Sequence, residues 1–135
     1  MNTFFKSFML LAIMAILVSC EKDEGKLPNI SFKTGGIYTS SDTALAGGTS
    51  FTVGINASKS EEEDVLKKFN ISLSIDGAAS TTLYNEDLTG TNEDVFEIDF
   101  NATLGNTVGQ VNKFTFTVTN RDGLTNQVSL SITVL

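Results

Sequence analysis

The chain has 135 residues, with 9 Lys and Arg against 16 Asp and Glu, one Cys, no His and a formal net charge of −7. An acidic surface repels phosphate backbones and anionic head groups, so nucleic acid is not an expected partner. Without His the chain has no Ser-His-Asp or Cys-His nucleophilic set and lacks the commonest zinc ligand.

Met1 to Ser7 carries one positive side chain, Lys6, and Phe8 to Val18 is apolar without a charge. An n-region followed by an h-region of this length has the layout of a signal peptide. As a helix rising about 1.5 Å per residue, the apolar run covers roughly half of a ~30 Å hydrocarbon core, too little for a permanent span. Ser19 then stands before Cys20, and "LVSC" resembles the lipobox of bacterial lipoproteins, although that pattern favours a small residue where Val18 stands. The following "CEKDE" resembles the acidic export signal of surface lipoproteins of the Bacteroidetes type, carried here by Glu21, Asp23 and Glu24. The resemblance implies cleavage before Cys20, acylation of Cys20, and an outer-membrane protein facing the cell exterior. A lone Cys in an oxidising compartment has no intramolecular partner, which agrees with a lipid-bearing role. Two or three acyl chains, each contributing about 0.8 kcal/mol per buried CH₂, hold a protein stably where one chain does not.

Removing residues 1–19 leaves 116, and since only Lys6 is lost, eight basic side chains face sixteen acidic ones, a charge of −8. That length is one domain, large enough to bury roughly two thirds of its unfolded surface without disulfides. Residues 20–28 read as the lipidated Cys and a short acidic tether ending at Pro28, the only proline, and residues 29–135 as the folded domain. Fully extended, the tether reaches on the order of 25 to 30 Å.

From Asn29 the apolar residues recur with period two. "NISF" places Ile30 and Phe32 on one face; "SFTVGINA" does so with Phe51, Val53, Ile55 and Ala57; "FNISLSID" with Phe69, Ile71, Leu73 and Ile75. A weaker run, "STTLYN", surrounds Leu83. "VFEIDFNA" then gives Phe96, Ile98, Phe100 and Ala102, "KFTFTVTN" gives Phe114, Phe116 and Val118, and "QVSLSITV" gives Val128, Leu130, Ile132 and Val134. Such alternation predicts strands with one buried and one wet face. Gly47-Gly48, Asp76-Gly77 and the "NRDG" ending at Gly123 punctuate the runs, and Asp-Gly between alternating segments signals a hairpin. Seven short strands predict a single all-β, antiparallel immunoglobulin-like sandwich, without the Cys…Trp…Cys core of antibody domains. From Pro28 to Leu135 the chain resembles the small Ig-like domains of Bacteroidetes lipoproteins, whose last hairpin has the composition of "FTFTVTNRDGLTNQVSLSITV".

Two acidic segments break the alternation. "KSEEEDVLKK", Lys59 to Lys68, has capping-box spacing from Ser60 to Glu63, acids at its start and lysines at its end, which predicts a short helical turn or a loop. Its run from Glu61 to Asp64 lacks the six to eight converging oxygens that Ca²⁺ requires and reads as solvated. "YNEDLTGTNED", Tyr84 to Asp94, is nearer in composition to a calcium loop, with Asp87 and Asp94 as weak candidates, but misses EF-hand spacing. No cofactor or metal is therefore expected, Ca²⁺ being the one ion considered.

Tyr38, in the Gly- and Ser-rich "TGGIYTSSDTALAGG", is the candidate ligand contact, since the Phe residues mostly fall on inward positions. "DTA", Asp42 to Ala44, resembles the O-glycosylation motif of exported Bacteroidetes proteins, with Thr43 as acceptor in an expected loop. Asn29, Asn56, Asn70 and Asn101 match N-x-[ST], a pattern that a strand-rich chain loaded with Asn, Ser and Thr produces by chance. No residue set falls into catalytic roles, so the reading is noncatalytic. The expected function is a lipid-anchored surface binding or adhesion module, one version being an accessory to glycan capture. The alternative is a structural lipoprotein that contacts envelope proteins through a sheet edge.

Overall fold

The computed structural model describes residues 24–135. Two sheets pack face to face. β1 (Asn29–Phe32), β3 (Ser50–Ser58) and β6 (Val95–Thr103) form one, in the order β1-β3-β6. β2 (Thr43–Leu45), β8 (Thr125–Val134), β7 (Val111–Asn120), β4 (Leu66–Ile75) and β5 (Thr81–Asp87) form the other, in the order β2-β8-β7-β4-β5. Every pairing is antiparallel except that of β2 with β8.

The core is built from the alternating positions. Phe51, Val53, Ile55 and Ala57 of β3 and Phe96 of β6 face Phe69 and Ile71 of β4, Phe114, Phe116 and Val118 of β7, and Leu130, Ile132 and Val134 of β8. Phe100 crosses between the sheets, its ring centroid 5.9 Å from that of Phe114 and 6.0 Å from that of Phe116. Offset and edge-on aromatic pairs of this kind add to plain area burial. Asp76 and Gly77 both have positive φ, 49° and 76°, and the N–H of Ala78 donates to the Ile75 carbonyl at 2.9 Å, the geometry that makes Asp-Gly a hairpin signal.

All seven expected strands are present, and β2 is added to them. Its three residues pair in parallel with Ile132 to Val134, too short a stretch for periodicity to register. Lys59 to Lys68 forms no α-helix. A single turn closes where the Asp64 N–H donates to the Glu61 carbonyl, and from Leu66 onward the chain is strand, with Lys67 and Lys68 exposed on β4. Leu66 is fully buried and so fixes this end of β4 to the core. The expected turn is thus present, and a longer helix, marginal without an apolar face, gives way to strand at that anchor.

The N-terminal end of the sandwich collects the loop after β3, the 3-10 helix Gly90–Glu93 and the β7–β8 turn. Glu24 is exposed, but the chain soon docks. The carbonyls of Lys26 and Pro28 accept hydrogen bonds from Asn120 Nδ2 (3.2 Å) and Asn126 Nδ2 (2.9 Å), and that of Leu27 accepts one from Ser60. Pro28 is buried, and Asn126 holds its carbonyl. The part of the expected tether within the described residues therefore lies against the domain.

Candidate functional site

The outer face of the three-stranded sheet is polar by alternation. Cross-strand partners there are Ser50 with Thr103, Thr52 with Asn101, Gly54 with Asp99, and Asn56 with Glu97. The first two pairs share side-chain hydrogen bonds of 2.8 and 2.7 Å. Gly54 leaves a gap in this face that Tyr38 and Lys33 fill: a Cβ at position 54 would lie 2.7 Å from Tyr38 Cε1 and from Lys33 Cδ. A Gly inside an alternating strand is the sequence signal for such close approach. The Tyr38 hydroxyl donates to Asp99 Oδ2 at 3.1 Å, while Lys33 Nζ lies 3.0 Å from Asp99 Oδ1, 3.2 Å from Glu97 and 5.8 Å from the Tyr38 ring centroid. The Asp99 hydrogen bond, followed by that of Glu97, holds the Lys33 ammonium above its ordinary 10.5, against some desolvation. Tyr38, the expected ligand contact, is thus half-buried with its hydroxyl engaged. Shallow hollows flank this cluster, one of about 470 Å³ beside Ile37, Thr52 and Asn101, the other of about 550 Å³ beside Ser31, Asn56 and Glu97.

The two acidic segments meet at the N-terminal end. Lys59 pairs with Asp94 at 2.7 Å, Lys67 with Glu93, Lys68 with Asp87 at 3.8 Å, and Lys26 with Glu61 at 3.4 Å. Asp87 and Asp94 thus answer different lysines, and among the described residues no three His, Cys, Asp or Glu side chains gather as a metal site. Asp64 departs from the solvated reading of its segment. It is 3% exposed and accepts from Asn120 Nδ2 at 2.7 Å and from the Val65 N–H at 2.8 Å.

Thr43 lies on β2 rather than in a loop, exposed, next to Asp42, whose Oδ1 accepts the Ser131 N–H at 2.8 Å. Asn29, Asn56, Asn70 and Asn101 lie on β1, β3, β4 and β6. Cys20, Glu21 and Asp23 lie outside the described residues.

A further feature is not visible in the periodicity. Three strands face five, so among the described residues β5 has no strand opposite it, and its residues are exposed apart from half-buried Glu86. Tyr84 and Glu86 pair with core-facing Ile71 and Phe69, so both project from the inner face of β5. The Tyr84 hydroxyl donates to Glu86, which, with partial burial, raises the phenol above its ordinary 10.0. β6 forms the adjacent edge of the smaller sheet. Its ladder to β3 runs unbroken through nine pairs, and no strand among the described residues pairs with its other side. The Leu104 N–H bonds the Thr49 carbonyl. By antiparallel alternation, Glu97, Asp99, Asn101 and Thr103 therefore turn their backbone N–H and C=O outward.

No family model and no curated relative matches the chain. Its backbone is similar to two structures of superoxide reductase (neelaredoxin) from Ignicoccus hospitalis. One of them, a point variant, has a TM-score of 0.54 and 13% identity over 84% of each chain. The other has a TM-score of 0.51 and 13% identity over 91% of this chain and 92% of that one. At such identity the likeness is one of fold.

Proposed function

We propose that the chain is a noncatalytic, lipid-anchored module of the bacterial outer membrane, built on an immunoglobulin-like sandwich, that contacts other proteins through a sheet edge. The observation that carries this reading is the free side of β6, nine residues long and without a bulge or proline. Unpaired N–H and C=O groups in a row are a template for strand addition unless a fold blunts them. The surface-adhesion reading, with a glycan as one ligand, draws instead on the hydroxyl- and amide-lined hollows beside Tyr38. Tyr38 is already tied to Asp99, and Phe51, the aromatic that lines the first hollow, belongs to the core, so the edge is the stronger of the two.

The anchor is assigned to Cys20 and the outward address to Glu21, Asp23 and Glu24, on the resemblance of "LVSCEKDE" to lipoprotein leaders. With the chain docked from Lys26, the six residues from Cys20 to Gly25 span at most about 20–22 Å. The acidic N-terminal end then lies next to the head groups, and the β6 edge runs away from them. Protease treatment of intact cells tests both assignments. Loss of the domain that is abolished by replacing Glu21, Asp23 and Glu24 with Ala supports an outward address, and protection in both strains assigns the domain to the periplasm. Cys20→Ala is expected to release the product from the membrane fraction or leave it uncleaved; unchanged mass and fractionation would remove the lipid anchor.

A further inference from the structure

We infer that the side of the sandwich between β6 and β5 is a slot for one extended polypeptide segment of another protein, bearing basic residues and alternating polar with apolar side chains. The inference rests on the sheet-edge reading above and assigns the edge, the floor and the chemistry of the occupant. The smaller sheet stops one strand short of the larger: β5 overhangs, and the place opposite its inner face is unfilled among the described residues. A segment hydrogen-bonded to Glu97, Asp99, Asn101 and Thr103 of β6 fills that place. Its inward side chains would meet Tyr84 on β5 and cover Ile98 and Phe100, which are only partly buried where they line the open side. Phe69 joins the two walls, its ring centroid 4.9 Å from that of Phe96 on β6 and 6.4 Å from that of Tyr84 on β5.

Charge selects the occupant. Glu97 and Asp99 already share Lys33, whereas among the described residues no Lys or Arg pairs with Glu86, whose contact is the Tyr84 hydroxyl. A lysine or arginine among the inward side chains of the incoming segment answers Glu86. A second copy would bring its own Glu97 and Asp99 into a slot of the same sign, on a chain of net charge −7.

The test uses the full chain in detergent micelles and a nine-residue synthetic peptide in which threonine alternates with valine and one valine near the end of the inward face is replaced by lysine, alongside its glutamate-for-lysine counterpart. Amide hydrogen exchange is followed over all strands. The lysine peptide is expected to slow exchange of the Glu97, Asp99, Asn101 and Thr103 amides at least tenfold, and the glutamate peptide to need at least tenfold higher concentration for the same effect. Glu86→Gln, whose amide oxygen still accepts the Tyr84 hydroxyl, is expected to weaken the lysine peptide severalfold while the free chain keeps a cooperative melting transition. Equal action of the two peptides overturns the charge assignment. Slowing confined to β1, β2 or β5 overturns the slot while contact through an edge stands, and slowing nowhere removes both. Protection of residues 95–103 that grows with protein concentration alone gives the slot to a second copy and overturns the inference.

Discussion

Asn120 Nδ2 donates to Asp64 Oδ2 at 2.7 Å, tying the β7–β8 turn to the loop after β3 across 56 positions of sequence. The same Asn120 amide bonds the Lys26 carbonyl, and its Oδ1 accepts the N–H groups of Asp122 and Leu124 at 3.1 and 2.8 Å. One side chain thus closes the N-terminal end, positions the last hairpin and holds the incoming chain.

Asn120→Ala leaves a buried carboxylate without its side-chain donor and two turn amides without their acceptor. Losing hydrogen bonds to a buried charged group costs about 3 kcal/mol. Urea unfolding is expected to show that loss, and faster amide exchange at residues 121–124 is expected to accompany it. A midpoint within error of the unaltered chain would show that water replaces the side chain without loss.

Gly54→Ala drives a methyl group into the space held by Tyr38 and Lys33. Overpacking of this kind costs about 1–3 kcal/mol. In a Tyr38→Ala background one of the two obstructions is gone, so the same substitution is expected to cost less. Equal costs in both backgrounds would mean that Tyr38 does not lie against Gly54 in solution.

Phe69 is fully buried between rings from β5 and β6. Phe69→Ala is expected to lower stability by about 3–5 kcal/mol, the range for emptying a large aromatic site. Phe69→Leu, which keeps most of the volume, is expected to cost clearly less. A loss below about 1 kcal/mol for Phe69→Ala, measured by denaturant unfolding, would place the ring outside the core.

Phe69 belongs to the part of the molecule that its sequence makes legible. Period-two runs mark seven strands, and Asp76-Gly77 marks a hairpin, because neighbouring residues determine each of these locally. Ala44 and Leu45 carry no such signal, since β2 exists only through its parallel pairing with residues at the far end of the chain. Lys59 to Lys68 is legible in part: the expected turn or loop stands between β3 and β4, but burial of Leu66 and the Asp64–Asn120 bond, set by residues distant in sequence, make its end strand and bury one of its acids. The free side of β6 is illegible because an edge is defined by which strand is missing. Alternation in "VFEIDFNA" is the same whether one neighbour or two flank it.

Alkaline pH tests three of the contacts together. Lys33 is held above 10.5 first by its hydrogen bond to Asp99, Lys59 by that to Asp94, and Tyr84 above 10.0 by that to Glu86. In each case the folded-state value exceeds the unfolded one, so folding favours the protonated group. The stability from these groups is complete below their unfolded values and is lost as pH rises through the folded ones. The melting temperature is therefore expected to be insensitive to these groups near neutrality and to fall above about pH 10. Lys33→Met is expected to flatten that fall, and Tyr84→Phe to remove the delayed component of the tyrosinate absorbance. An alkaline slope unchanged by either substitution would show that these hydrogen bonds do not persist in solution.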